Sequence, residues 1–149
     1  MRWREVLAAS AFGVGVAGTI DEVVLHQLLH WHHFYDKSTS GWGLISDGIF
    51  HVVSTTLLVW GTYALVRNRQ RVVARETLGW IVFAAGAFNL YDGTIQHKVL
   101  RIHQVREGVA NEAPYDAVFL ATAAAIAAVG GALTIAARRS GLPARHGRS

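Results

Sequence analysis

Histidines and aspartates are concentrated in three short stretches of an otherwise apolar chain. The segment LHQLLHWHHFYD (25–36) holds four of the eight histidines, and DGIFH (47–51) and LYDGTIQHKVLRIHQV (90–105) hold three more. Imidazole and carboxylate together are typical ligands of Zn, Fe and Cu(II). The chain has no cysteine and its single methionine is the first residue, so disulfides, cysteine-type zinc sites and sulfur ligands are excluded.

Two of these stretches form an internal repeat. TIDEVVLHQLLHWHHF (19–34) aligns without gaps to LYDGTIQHKVLRIHQV (90–105), and both copies read D-x4-H-x5-H. The alignment pairs Asp21 with Asp92, His26 with His97, and His32 with His103. We expect two parallel halves of two helices each, related by an axis along the membrane normal, because such repeats place polar sites at the interface between the halves.

The elements that carry these residues are predicted to be membrane-spanning helices. The 149 residues are 52% hydrophobic and the mean hydropathy is +0.28, whereas a spanning helix needs roughly 20 mainly apolar residues. Four stretches qualify, at about 6–29, 44–66, 77–99 and 117–137, followed by a basic tail at 138–149. The expected fold is a single all-α domain, an integral membrane four-helix bundle in contact with the lipid bilayer.

Charge predicts how the chain is oriented. Ten of the fourteen Lys and Arg residues lie at the N-terminus, in the second connection and in the tail: Arg2, Arg4, Arg67, Arg69, Arg71, Arg75, Arg138, Arg139, Arg145 and Arg148. By the positive-inside rule this side is cytoplasmic. We therefore expect a multi-pass protein of the cell's inner (plasma) membrane with both termini in the cytoplasm. Seven of the eight histidines and eight of the ten acids lie toward the other side. Because the arginines flank apolar spans, we do not expect nucleic-acid binding.

Buried ionisable groups at this density predict a metal site. An Asp at the centre of a spanning helix costs roughly 2.5 kcal/mol or more unless it pairs or binds an ion. His26, His51 and His97 are the first expected ligands, since they come from three helices at matching depth. The other expected ligands are His32, His103, His33, Asp47 and Asp92. These donors outnumber the four ligands of a structural zinc site, which favours a multinuclear Cu, Zn or Fe centre. The expected function is redox chemistry or metal handling, and a metal-dependent oxidoreductase is one protein class that would fit it.

Three alternative functions use the same residues. His26 and His97 on facing helices could ligate a b-type haem. Asp47, His51 and Ser54 on one helix could serve an intramembrane zinc hydrolase. A proton relay through the His and Asp side chains is the third alternative. The sequence does not assign Asp21, His30 or Asp116 to the site, and it is compatible with an oligomer.

Three ordered motifs carry a family resemblance. LHQ-x3-WHH (25–33), DGIFH (47–51) and NLYDG-x3-H-x2-L-x2-H-x-VR (89–106) resemble those of a family of small four-span bacterial membrane proteins classed as a domain of unknown function. The resemblance covers most of the chain and includes all eight expected ligands. Some members occur beside, or fused to, a membrane protein related to cytochrome oxidase copper-assembly factors. By association this implies copper handling or respiratory chemistry, with respiratory or copper-assembly membrane proteins as partners.

Overall fold

The protein is all-helical in the part of the chain that the computed structural model describes, residues 1–69 and 73–140. Helix α1 (Trp3–Asp21) continues into a π-helical segment, π1 (Glu22–Leu28), and α2 spans Ser40–Arg67. Helix α3 (Ala74–Tyr91) continues into a second π-helical segment, π2 (Asp92–Leu100), and α4 spans Ala113–Ser140. The predicted fold class is confirmed. Arg71, Arg145, His146 and Arg148 lie outside the described residues.

Three of the helices are long and apolar enough to cross a membrane: Trp3–Leu28, Ser40–Arg67 and Ala113–Ser140. Many of their large apolar side chains face outward, including Ile49 and Trp60 of α2 and Val118 of α4, as expected where lipid replaces water. Helix α3 is shorter, because Glu76 and Asp92 bound its apolar part.

The central pair of helices is α1 and α3. Helix α1 packs against α2 on one side and α3 on the other, and α3 packs in turn against α4. Small residues form the contacts, as is usual between helices in a membrane. A Cβ added to Gly15 would lie 2.4 Å from the Leu58 nitrogen, and one added to Gly86 would lie 2.3 Å from the Ala127 nitrogen. The Gly86–Ala127 contact corresponds to the Gly15–Leu58 contact, because Gly86 lies 71 residues after Gly15 and Ala127 lies 69 residues after Leu58.

Most of the described basic residues lie at one end of the helices. The Met1 ammonium group lies 3.0 Å from Glu76 Oε2 and Arg138 Nε lies 2.8 Å from Glu76 Oε1. The N-terminus, the start of α3 and the end of α4 therefore share this end. Helix α2 runs antiparallel to α1, since Gly61 packs on Ala8, so its C-terminal arginine lies there as well. The histidine-rich segments occupy the opposite end.

Close packing of α3 on α4 makes two adjacent glycines respond differently to substitution. A Cβ at Gly130 would lie 2.1 Å from the Phe83 nitrogen, whereas one at Gly131 would come no closer than 3.9 Å to the Phe83 ring. Gly130→Ala should therefore destabilise the protein by about 1–3 kcal/mol. Gly131→Ala should be neutral or stabilising by up to about 1 kcal/mol, because Ala is the better helix former.

Thermal unfolding of both variants in detergent measures this difference. Equal midpoints for Gly130→Ala and Gly131→Ala would contradict the close α3–α4 contact.

Candidate metal centre

The two π-helical segments align the aspartate and the first histidine of each D-x4-H-x5-H stretch. We call residues 1–69 the first half and residues 73–140 the second half. A π-helix closes i→i+5 hydrogen bonds, so residues five apart lie on one side, whereas in an α-helix they point about 140° apart. His26 Nε2 lies 3.5 Å from Asp21 Oδ2, and His97 Nε2 lies 2.9 Å from Asp92 Oδ2. The spacing D-x4-H is therefore matched to the wider helix.

A left-handed residue ends each π-helical segment and turns the chain back toward the bundle. His30 has φ 51° and Arg101 has φ 53°, a conformation that few residues other than glycine adopt. The two residues are 71 positions apart, as are the residues of the repeat. In both copies this turn returns the last histidine of D-x4-H-x5-H to the interior.

The two loops that follow the turns hold each other in place. The Asp36 amide donates to the Ile102 carbonyl at 3.0 Å, and the Glu107 amide donates to the Trp31 carbonyl at 2.9 Å. The second bond is the counterpart of the first at the same offset of 71 residues. The loop of one half is thus fixed by the loop of the other.

The last histidine of each repeat is fixed by the opposite loop as well. His32 Nδ1 donates to the Val105 carbonyl at 2.9 Å, and His103 Nδ1 donates to the Phe34 carbonyl at 2.8 Å. Because a carbonyl only accepts, each Nδ1 carries a proton, and in the neutral ring the lone pair is then on Nε2. A hydrogen bond from the outer ring nitrogen to a carbonyl is how histidine ligands of metals are oriented.

Four imidazoles form a single buried cluster. The ring centroids are 4.5 Å apart in both His26–His32 and His97–His103, with an interplanar angle of 71° in each pair. Across the two halves, His32 and His103 stack at 4.8 Å with their planes within 7°. All four side chains are at most 4% exposed. The cluster therefore has the same geometry in both halves.

Each half brings an Asp and two His side chains within reach of one ion. Asp21, His26 and His32 form one group, and Asp92, His97 and His103 form the other. In each group one donor atom per residue lies within 4.8 Å of the other two. We call these the two triads.

The donor atoms of the triads fit a metal better than they fit one another. Among the described residues, Nε2 of His32 and of His103 and both ring nitrogens of His26 and His97 are buried without a hydrogen bond. A buried polar group without a partner is costly, and a cation bound in each triad would satisfy one nitrogen of each of these rings.

Electrostatics keeps the His32 ring neutral. Burial, and then the neighbouring imidazoles of His103 and His26, lower the pKa of His32 to about 3. The ring therefore presents a free lone pair at neutral pH, as metal coordination requires.

The two halves differ next to the triads. In the first half, Glu22 and Asp47 lie 2.9 and 3.0 Å from His26 Nδ1 and form with it a third group of potential ligands. Asp47 also accepts hydrogen bonds from His33 Nδ1 at 2.6 Å and from the Phe34 amide at 2.7 Å.

In the second half, the acid that corresponds to Asp47 is paired with a lysine. The Lys98 ammonium group pairs with Asp116, which lies 69 residues after Asp47. Gly93 stands at the position that corresponds to Glu22. Asp116 is thus paired to a cation from the protein itself.

The expectation that His26, His51 and His97 converge is wrong for His51. The His51 side chain is exposed on α2, although Asp47, one turn earlier, is buried. The buried residues of α2 are Gly43, Asp47, Ser54 and Gly61, most of them seven residues apart. This buried face of α2 is narrow, and His51 lies just outside it on the helix surface. The set Asp47, His51 and Ser54 suggested for a hydrolase is therefore not assembled.

The other residues that the sequence raised as candidates lie partly in the triads and partly around them. His33 is 30% exposed and contacts Asp47 rather than a triad. His30 is exposed in its turn. Asp21, which the sequence did not assign, belongs to the first triad. Glu22 was not predicted, and its only signal was its position four residues before His26.

The sequence was then compared with known families. A family model described as "Predicted membrane protein (DUF2243)" matches residues 8–137. The chain belongs to this family. The DUF2243 match covers α2, α3, both triads and most of α1 and α4, and it confirms the resemblance to a membrane protein family of unknown function. No curated protein and no solved structure matches the chain.

The Lys98–Asp116 ion pair of the second half predicts that the stability lost on substituting Lys98 is restored by a second substitution at Asp116. Lys98→Met should destabilise the protein by about 1–3 kcal/mol, because it leaves the buried Asp116 carboxylate without its cation. Adding Asp116→Asn removes that charge and should restore most of the loss. Thermal unfolding in detergent at pH 7 is the measurement.

Lys37→Met is the control, since Lys37 pairs at 3.6 Å with Glu107, whose side chain is 31% exposed, whereas that of Asp116 is 11% exposed. A double variant no more stable than Lys98→Met alone would contradict the pairing.

Proposed function

We propose that this protein is a membrane metalloprotein that holds two transition-metal ions, one in each triad. The observation that carries the proposal is the reciprocal orientation of His32 and His103. Each donates Nδ1 to a carbonyl of the opposite half, which leaves an unpaired Nε2 directed into a buried group of imidazole and carboxylate.

We also infer that the protein is built from two repeated halves. The triads, the left-handed turns, the reciprocal loop bonds and the glycine contacts all recur at offsets of 71 or 69 residues. Such a pair of halves favours two equivalent metal positions on either side of the stacked His32 and His103 rings.

The ligand set favours redox chemistry or metal handling over a purely structural role. Two imidazoles and one carboxylate suit Cu(II), Fe or Zn. Three protein ligands leave a coordination position for an exchangeable group, whereas structural zinc sites use four. The deep burial of the ligands favours an ion that stays in place, and hence a resident redox centre, over a cargo ion that must be released.

The packing of the rings argues against a haem. The haem ligands considered from the sequence are His26 and His97, which contact the rings of His32 and His103 at 4.5 Å, and those two rings stack directly on each other at 4.8 Å. A porphyrin clamped by two histidines would have to lie between its ligands, and these stacked rings leave no such space.

A cleft gives a possible reactant a path to the first triad. It has a volume of about 270 Å³ and lies between α1, α3 and α4, with Asp21 and Asn89 among its lining residues. The rest of the lining is apolar, including Ile20, Val24 and Phe119. This composition favours a small or lipid-soluble reactant that arrives from the bilayer.

Charge supports the placement of this site on the outer side of the inner membrane. Most of the described arginines lie at the end opposite the triads, and positively charged ends stay in the cytoplasm. Respiratory or copper-assembly membrane proteins are partners suggested by family association alone.

Metal analysis of single variants tests the proposal. His103→Ala should lose about one metal equivalent, because it removes one of the three protein ligands that an open site uses. His51→Ala is the matched control and should keep the wild-type content, since its exposed side chain lies outside the triads. The measurement is elemental analysis of detergent-purified protein after loading with Cu²⁺ or Zn²⁺ and removal of excess ion.

Two results would overturn the proposal. One is a wild-type protein that retains no metal after loading. The other is a metal content that falls in His51→Ala and is unchanged in His103→Ala.

A further inference from the structure

Both nitrogens of the His26 ring face carboxylates. Nε2 lies 3.5 Å from Asp21 in the first triad, while Nδ1 lies 2.9 Å from Glu22 and 3.0 Å from Asp47 on the other side of the ring. His26, Glu22 and Asp47 are all at most 2% exposed. One imidazole thus lies between two separate groups of acidic oxygen atoms.

The charges around this ring are not balanced by a basic side chain. Within residues 1–69 and 73–140, no lysine or arginine forms an ion pair with Glu22 or Asp47. The equivalent acid in the second half, Asp116, is neutralised by Lys98. Gln27 holds the position that corresponds to Lys98, and its amide donates to Glu22 Oε1 at 2.9 Å.

A protonated His26 does not account for the contacts at Nδ1. An N–H can be shared by two acceptors only where it is aligned with them, yet the carboxylates that approach this nitrogen at 2.9 and 3.0 Å form no hydrogen bond with it. Neither is aligned for a hydrogen bond, and Nδ1 and Glu22 Oε2 are buried without one among the described residues. Several donors that converge at short range without hydrogen-bond alignment are the arrangement expected around a cation.

We propose that Glu22, Asp47 and His26 Nδ1 form a third, separate site for a divalent transition-metal ion. The inference rests on the proposed function, because His26 would also bind the ion of the first triad through Nε2. With both nitrogens used as ligands, the ring would release its N–H proton to solvent on metal binding and would act as an imidazolate shared by the two sites. His33 supports this site by its hydrogen bond to Asp47.

Lys98 explains why the second half has no such site. Its ammonium group lies on the acid that corresponds to Asp47, and Gly93 supplies no carboxylate in place of Glu22. The protein would therefore hold three ions, two in equivalent triads and one in the first half only. A pair of identical halves would hold an even number.

The experiment transfers the lysine of the second half to the first. Apo-protein in detergent is titrated with Zn²⁺ against a chromophoric chelator, and the bound equivalents are counted. Wild type should bind about three, one per group of ligands. Gln27→Lys should bind one fewer, because its ammonium group occupies the place of the ion beside Glu22. Gln27→Met removes the same amide without adding charge, and it should bind as many ions as wild type.

Glu22→Gln provides a second test that is independent of how a lysine packs at position 27. It keeps the shape of the side chain and removes the charged ligand, so it should also lose one equivalent. Both variants should retain the two ions of the triads.

The failure of this inference is distinct from the failure of the proposed function. Two equivalents in wild type, unchanged in Gln27→Lys and Glu22→Gln, would overturn the third site and leave the triads intact. Three equivalents in all four proteins would likewise overturn its placement at Glu22. No bound Zn²⁺ in wild type would overturn the proposed function itself.

Discussion

The burial of four imidazoles and their carboxylates at one end of the helices is the constraint on which the rest of the structure depends. Ionisable groups removed from water are costly unless they are paired or bind an ion. Nearly every irregular feature of the backbone serves to place these side chains. The helices widen where the aspartates begin, the chain turns through His30 and Arg101, and the two loops bond to each other.

The apolar part of the protein makes this cluster possible. Glycines let α1 and α3 approach closely at the centre, as where a Cβ at Gly13 would lie 2.2 Å from the Ile81 carbonyl oxygen. With the central helices in contact, the π-helical segments that follow them end side by side. The polar site is therefore held by packing many residues away, and the lipid-facing residues of α2 and α4 need only be apolar.

Much of this architecture could be predicted from the sequence. Hydropathy predicted four helices, the number that the described residues form, and five of the six triad residues were among the ligands predicted from the sequence. Composition could not reveal the π-helices. On an α-helix Asp21 and His26 point apart, and only the i→i+5 geometry places them together. The prediction for His51 failed for a different reason. Its four-residue spacing from Asp47 places both on one side of α2, but the face that α2 buries is too narrow to include both.

X-ray absorption at the metal edge of the copper- or zinc-loaded protein tests the central claim most directly, because it reports the atoms bound to the ion. Two ions in two triads predict a shell of nitrogen and oxygen, with the outer scattering of about two imidazoles per ion. A coordination shell without imidazole scattering would contradict the account.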